Sequence, residues 1–235
     1  MRRPMRESAG EAIVAVDGPA GSGKSTLGRR LATALRLPLI DTGLFYRAVT
    51  LAAARAGARP EDEALLADIA RRTRIDIGTD PDAQPDVRVD GIAVSSDDLH
   101  DPRHAALLSA VSGVAGVRQA LLEPQRALAG RGAVAVGRDC GTVVFPNADV
   151  KLYLDADAGV RTSRRATQLR ARGARVDVAV LDTEVRGRDT SDASRDHGPL
   201  RPAPDARVID TGKHGIDEMV ALALQLCAER GLTPR

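Results

Sequence analysis

Ile13 to Val16 is an unbroken apolar run, the pattern of a strand buried on both faces. It leads into Asp17-Gly18-Pro19-Ala20-Gly21-Ser22-Gly23-Lys24-Ser25-Thr26. Beyond that turn Leu27, Leu31 and Leu35 recur every fourth residue, which predicts a helix with one apolar face. Leu39-Ile40 predicts a second short strand, and residues 44–56 a helix stopped by Gly57. Residues 61–72 read as a further helix. Residues 74–94 change in character: Arg88 to Val94 alternates around an Asp90-Gly91 turn signal, which predicts a small β-rich insertion. Helical pattern resumes over 103–130, with Pro124 expected to end or kink a helix. Ala133–Val136 and Val150–Leu154 are two more buried-strand runs. Residues 158–172 and 176–188 predict Arg-rich helices, 189–204 a polar loop, Val208-Ile209 a last strand and 215–229 a closing helix. Strands alternating with helices predict an α/β fold: a parallel central sheet covered on both faces, three layers in αβα order.

The length of 235 residues fits one domain over about 11–230, with residues 1–10 polar and expected to fray. Only three of the 34 basic residues are lysine and only four residues are aromatic. An Arg- and Ala-rich codon bias explains most of this. The four rings, Phe45, Tyr46, Phe145 and Tyr153, are too few for stacking platforms that bind single-stranded nucleic acid. A net charge of +2 is no footprint for duplex binding. Cys140 and Cys227 form no framework, which favours a reducing cytoplasm. No apolar stretch is long enough for a membrane span. The expected partners are small molecules, with no nucleic acid, no membrane and a monomeric chain.

The pattern Gly18-x-x-x-x-Gly23-Lys24-Ser25 is a phosphate-binding loop. Glycines let backbone N–H groups wrap an anion, and a helix starting at the loop favours negative charge. At this composition the pattern arises by chance about 0.003 times in a chain of this length. A buried strand precedes it and a helix follows it. Lys24 is expected to reach the β- and γ-phosphates of a nucleotide and Ser25 to bind Mg²⁺. Residues 18–26 as a whole (Gly18, Pro19, Ala20, Gly21, Ser22, Gly23, Lys24, Ser25 and Thr26) make up the expected donor site. The loop alone does not separate kinases from GTPases or ATPase motors.

Three further blocks narrow the choice: Asp41-Thr42-Gly43-Leu44-Phe45-Tyr46-Arg47, the run from Gly137-Arg138-Asp139 to Phe145-Pro146, and Arg188-Asp189-x-x-Asp192-x-x-Arg195. With the phosphate loop, they resemble the bacterial cytidylate kinases, over about residues 11–228. The resemblance implies phosphoryl transfer from ATP to CMP, and to dCMP, with Mg²⁺. It implies a nucleoside-monophosphate-binding insertion at about 74–101 and a mobile lid at about 187–200. Arg47 and Arg138 resemble the pair that holds the acceptor phosphate, and Arg is suited to that by its bidentate fork. Arg188 and Arg195 resemble lid residues that close over the phosphates, and with Lys24, Arg47 and Arg138 they form the expected catalytic set. Asp192 resembles the lid carboxylate that accepts from the ribose. Ser109, Arg118 and Asp139 match positions that read cytosine, whose N4 amine suits a carboxylate. Thr42 matches a residue that touches the nucleotide, and Tyr46 or Phe45 is expected to pack on the base.

The chain departs from that pattern at three places. Val136 stands where relatives carry an acid before Gly-Arg-Asp, Leu99-His100 stands where they have Ile-Arg, and the lid has Ser191 and Ala193 where relatives are richer in Arg. These departures leave open a kinase for a modified cytidine monophosphate or other small acceptor, and a nucleotide-binding protein without catalysis.

Overall fold

A computed structural model describes residues 12–171, 173 and 175–234. The N-terminal residues expected to fray lie outside the described residues.

Strand β1 (Ile13–Asp17) lies at the centre of a five-stranded sheet with β2 (Leu39–Asp41), β6 (Ala133–Gly137), β7 (Val150–Asp155) and β8 (Arg207–Asp210). The order is β2-β6-β1-β7-β8, and every pairing is parallel. The alternation of each strand divides its side chains between two layers. Val14, Val16, Val134, Leu152 and Leu154 face α1 (Lys24–Leu35) and α9 (Ile216–Ala228), where Leu27, Leu31, Met219 and Ala223 complete a buried cluster. The opposite face is lined by small residues, Ala15, Ala133 and Ala135 with Ile40, and this lets the turn at Cys140–Val144 pack closely. The two-sided burial explains why these strands read as continuous apolar runs.

A second core joins α2 (Thr42–Arg55), α3 (Glu63–Arg72), α5 (Ala105–Gly113) and α6 (Ala115–Ala127) to a small antiparallel sheet. That sheet has the order β3-β4-β5, from Ile75–Ile77, Val87–Val89 and Ile92–Val94, with the Asp90-Gly91 turn between the last two. A short helix α4 (Ser96–Leu99) follows. The remaining two helices, α7 (Ala158–Ala171) and α8 (Val178–Ala193), meet in a small buried cluster of Ala166, Leu181 and Val185, with Leu169 and Val176 packed against it.

Two expectations are corrected here. Pro124 does not end a helix: it lies inside α6, and the break falls at Val114, whose backbone is extended (φ −68°, ψ 120°). Buried Val111, Val114 and Val117 hold both sides of that corner in the second core, so tertiary packing places the break. The loop expected from residue 189 begins five residues later, because α8 runs on to Ala193. Arg188 and Asp192 are thereby one helical turn apart, on one face.

The carboxyl ends of the parallel strands form one edge of the molecule. Four of the five strands end in aspartate: Asp17, Asp41, Asp155 and Asp210. In open parallel sheets this edge is where ligands bind.

Candidate active site

The phosphate loop joins β1 to α1 at that edge. Gly18 has φ +148°, and any Cβ there would overlap the carbonyl oxygen of Leu154, so the close passage of the loop over β7 requires glycine. Helix α1 starts after Gly23 with no side-chain cap and no acid in its first turn. Its leading N–H groups therefore have no side-chain acceptor, the arrangement that suits an anion. Lys24 Nζ donates to Pro19 O at 2.7 Å. Burial, with repulsion from Arg138, pulls its amine down to about 7, against the pull of Asp41 and Asp17. An anionic ligand would restore that charge.

Asp17 is buried, and its two oxygens accept from the N–H groups of Cys140 (2.8 Å) and Gly141 (2.7 Å). Burial nevertheless raises its pKa to about 6. These bonds clamp the Arg138–Val144 segment onto the end of β1. Asp41 caps α2, accepting from Gly43 N–H at 2.9 Å. Burial pushes Asp41 up, and Lys24, Arg47 and Arg138 oppose the shift.

Arginines converge beside the loop. Arg138 Nη1 donates to Gly18 O at 3.0 Å, and its Nη2 lies 3.0 Å from Asp192 Oδ2. Arg195 also pairs with Asp192, and Arg188 Nε stands 4.0 Å from the same carboxylate. Asp192 is 1% exposed, so this anion is enclosed by three guanidinium groups. Arg47 donates to Leu99 O at 3.0 Å, and burial plus the repulsion of Arg188 lowers it to about 10. Arg47, Arg138 and Arg188 thus act on one another through charge, as expected for one polyanion site.

Next to this group, Arg118 pairs with Asp139; both side chains are below a tenth exposed. Burial raises the Asp139 pKa even though Arg118 opposes it. The Arg118 guanidinium lies 5.6 Å from the centre of the Tyr46 ring, within cation–π range. Gly198, from the segment after α8, covers the pair. Its φ is +62°, and a Cβ there would run into Arg118 and Asp139.

The structure sorts the sequence-derived residues. Lys24, Tyr46, Arg47, Arg118, Arg138, Asp139, Arg188, Asp192 and Arg195 come together. Phe45 does not: it is 1% exposed in the second core, so of the two rings only Tyr46 borders the site. Thr42 is buried, and its hydroxyl donates inward to Val136 O at 3.0 Å. Ser109 stands exposed on α5, while Ser112, one turn later, meets Arg195 Nη2 through its Oγ (2.9 Å) and Arg118 Nη1 through its carbonyl (3.0 Å). Sequence reading missed Ser112, Asp17, Asp41 and Gly198. The helical three-residue offset from Ser109 was the one available signal for Ser112. The strand-end position of the two aspartates was the signal for them. Val136 is core, packed with Leu27 and Leu31 on the α1 face, so the acids near Lys24 come from β1 and β2 instead. Leu99 contributes its carbonyl to Arg47, and the His100 ring bonds to Ser96 O at 2.8 Å. Cys140 is a buried thiol whose pKa burial drives far up, which suits a packing role. Among the described residues no group of three His, Cys, Asp or Glu side chains is placed to hold a metal alone, and no single helix is long and apolar enough to cross a membrane.

A family model described as "Cytidylate kinase" matches residues 14–229. The chain is 46% identical over 223 residues to a cytidylate kinase of Syntrophotalea carbinolica, covering 93% of this chain and 92% of that protein. It is 40% identical to a cytidylate kinase of Symbiobacterium thermophilum, covering 95% and 99%, and 43% identical to one of Rhodococcus jostii, covering 95% and 97%.

Proposed function

The chain belongs to the cytidylate kinase family, and from that premise we propose the roles by which its residues carry the terminal phosphoryl group of ATP to CMP. The observation that carries the assignment is the meeting of Lys24 with Arg47, Arg138, Arg188 and Arg195 at one sheet edge, beside the buried Arg118–Asp139 pair. That concentration of positive charge suits two phosphate-bearing ligands, and the buried Arg118–Asp139 pair suits one polar base.

Residues 18–26 hold the donor phosphates through backbone N–H groups, and Lys24 spans toward the β- and γ-phosphates. The donors nearby also fit magnesium. This ion takes hard oxygens, commonly one or two carboxylates and the substrate's own phosphates. Ser25, exposed at the first turn of α1, and Asp41, whose charge acts on Lys24, would hold it. Magnesium, when bound, neutralises charge that builds on the phosphate oxygens during transfer.

Arg47 and Arg138 grip the acceptor phosphate and align its oxygen with the γ-phosphorus. Arg188 and Arg195 lie over the transferring group and exclude water. The segment 187–200 acts as the lid, and the region 74–101 borders the acceptor side. Asp139 accepts from the cytosine N4 amine, and Arg118 donates to O2 and N3. Their mutual pairing keeps both preset for that edge. Tyr46 supports the base and Asp192 accepts from the ribose hydroxyls, whereas Thr42, bonded inward to Val136 O, and Ser109, exposed on α5, take no part in this scheme. The deoxy acceptor dCMP is also a substrate in this scheme, since the base and phosphate contacts are unchanged. No role falls to nucleic acid or membrane.

An ATP-coupled assay across CMP, dCMP, UMP and AMP tests the scheme. CMP and dCMP are expected to turn over well ahead of the other two. Turnover of UMP or AMP with none of CMP would remove the cytosine assignment.

A further inference from the structure

Arg161 has no part in the roles above, yet it is among the most deeply buried charges in the molecule, at 5% exposure. It sits in the first turn of α7, and its guanidinium joins three segments. Nε donates to Ala156 O (2.9 Å) in the turn after β7, Nη1 to Ala20 O (3.2 Å) in the phosphate loop, and Nη2 to Asp189 Oδ2 (2.5 Å) on α8. A buried guanidinium needs a counter-charge, and Asp189 supplies it.

Two features give this contact more than a packing role. First, the Ala20 carbonyl and the Gly21 N–H belong to one trans peptide, so they point to opposite sides. Fixing the carbonyl on Arg161 aims the Gly21 N–H away from α7. The backbone of α7 also abuts the loop at this residue: a Cβ on Gly21 would lie 3.2 Å from Arg161 O. Second, α8 shares little apolar surface with α7. Its apolar contact with α7 is the small cluster of Ala166, Leu181 and Val185, and its remaining ties to α7 are polar, Thr162 Oγ1 to Asp182 Oδ1 (2.9 Å) and Arg161 to Asp189. Asp189 directly follows Arg188 and precedes Asp192 by one turn. The hold on Asp189, with the contacts of Arg138 and Arg195 to Asp192, therefore helps set where those two side chains stand.

We propose that Arg161 is a positioning residue that couples the phosphate loop to the lid helix, with Asp189 as its latch. A loop ordered by donor phosphates holds Ala20 O in place, Ala20 O holds Arg161, and Arg161 holds α8 with Arg188 and Asp192 over the site. This rests on the kinase roles given above.

The test compares wild type with Asp189→Ala, Arg161→Met and the double variant. Steady-state kcat and KM for both substrates are measured, together with hydrogen exchange of residues 178–193 with and without ATP. Asp189→Ala is expected to lower kcat about tenfold and, because it leaves the Arg161 charge buried without its partner, to lower the thermal midpoint by roughly 6–12 °C; the double variant is expected to lose no more kcat than Arg161→Met alone. ATP is expected to slow exchange in 178–193 of wild type, and Asp189→Ala to abolish that ATP-dependent protection. Should Arg161→Met fail to fold, Asp189→Ala and Arg161→Lys carry the same readouts, with Arg161→Lys losing the ATP-dependent protection because an ammonium cannot span the three carbonyl and carboxylate partners. Retention of kcat within twofold in Asp189→Ala, multiplicative losses in the double variant, or ATP-dependent protection that survives without Asp189 would overturn the latch. The exchange readout does not require transfer to CMP. A wild type that protects its lid with ATP yet phosphorylates no cytidylate would therefore count against the acceptor scheme and leave the latch standing.

Discussion

The Arg118–Asp139 pair offers the sharpest separation of stability from recognition. The two side chains are 9% and 4% exposed, so each charge is deprived of water and relies on the other. Removing one partner from such a pair costs about 3–5 kcal/mol, because the remaining charge stays buried. Asp139→Leu should fall near the lower end, since Arg118 keeps its 3.0 Å bond to the Ser112 carbonyl. Arg118→Met leaves Asp139 without the opposing charge, and burial then drives that carboxyl toward its neutral form, which limits the loss. The double variant buries no unpaired charge and should be destabilised by only about 1 kcal/mol. For a chain of this size each kcal/mol moves the thermal midpoint by roughly 2–4 °C, so each single variant should melt about 6–12 °C lower and the double one close to wild type. Recognition should behave oppositely. Each single variant loses a contact of a charged group to cytosine worth about 1.5–3 kcal/mol, so CMP binding should weaken roughly 10- to 150-fold, and the double variant further still. ATP binding should stay within about threefold, since the phosphate loop lies apart from the pair. Thermal unfolding and titration of each nucleotide separately measure the two effects. Equal losses for ATP and CMP, or single destabilisations that simply add in the double variant, would refute the assignment.

Two further outcomes follow from the same site. Lys24→Met should reduce phosphoryl transfer by about a thousandfold or more while leaving the thermal midpoint within a few degrees; a coupled assay run beside a thermal shift measures both, and substantial residual transfer would displace Lys24 from its role. Asp17 has a folded pKa of about 6 against an ordinary 3.8, so the folded chain holds this proton between those values and the unfolded chain does not. Its contribution to stability is therefore greatest at the acid end and is lost as pH rises through about 6, a swing of about 3 kcal/mol. Asp17→Asn removes that swing. The urea stability of wild type minus variant should be larger at pH 4.5 than at pH 7, and a difference independent of pH would contradict the burial account.

Much of the frame was legible because the relevant signals are local. A strand buried on both faces needs a continuous apolar run, and Ile13–Val16, Ala133–Val136 and Val150–Leu154 show one. The phosphate loop needs glycine and lysine at fixed spacing. The Asp90-Gly91 hairpin needs only its own residues. The misplaced helix boundaries were not local. Pro124 sits inside α6 because buried neighbours hold the helix in spite of the missing N–H, and α8 runs past residue 189 because Arg138, Arg161 and Arg195 hold its acidic side chains.

The sequence alone determined a parallel α/β fold and a phosphate-binding loop, since each rests on periodicity or on a short motif, and its resemblance to the cytidylate kinases singled out the arginines and aspartates proposed to serve the two nucleotides. Which ring borders the site, Tyr46 and not Phe45, was decided by which side of α2 meets the second core. The enclosure of Asp192 by three guanidinium groups, the clamp of Asp17 on the Cys140 turn and the bridge from Arg161 to Ala20 and Asp189 were likewise decided only in three dimensions. The physical reason is common to all of them. A charge carries no mark in sequence that says whether it meets water or a partner, and among so many arginines only burial against a specific acceptor separates one that works from one that is merely solvated.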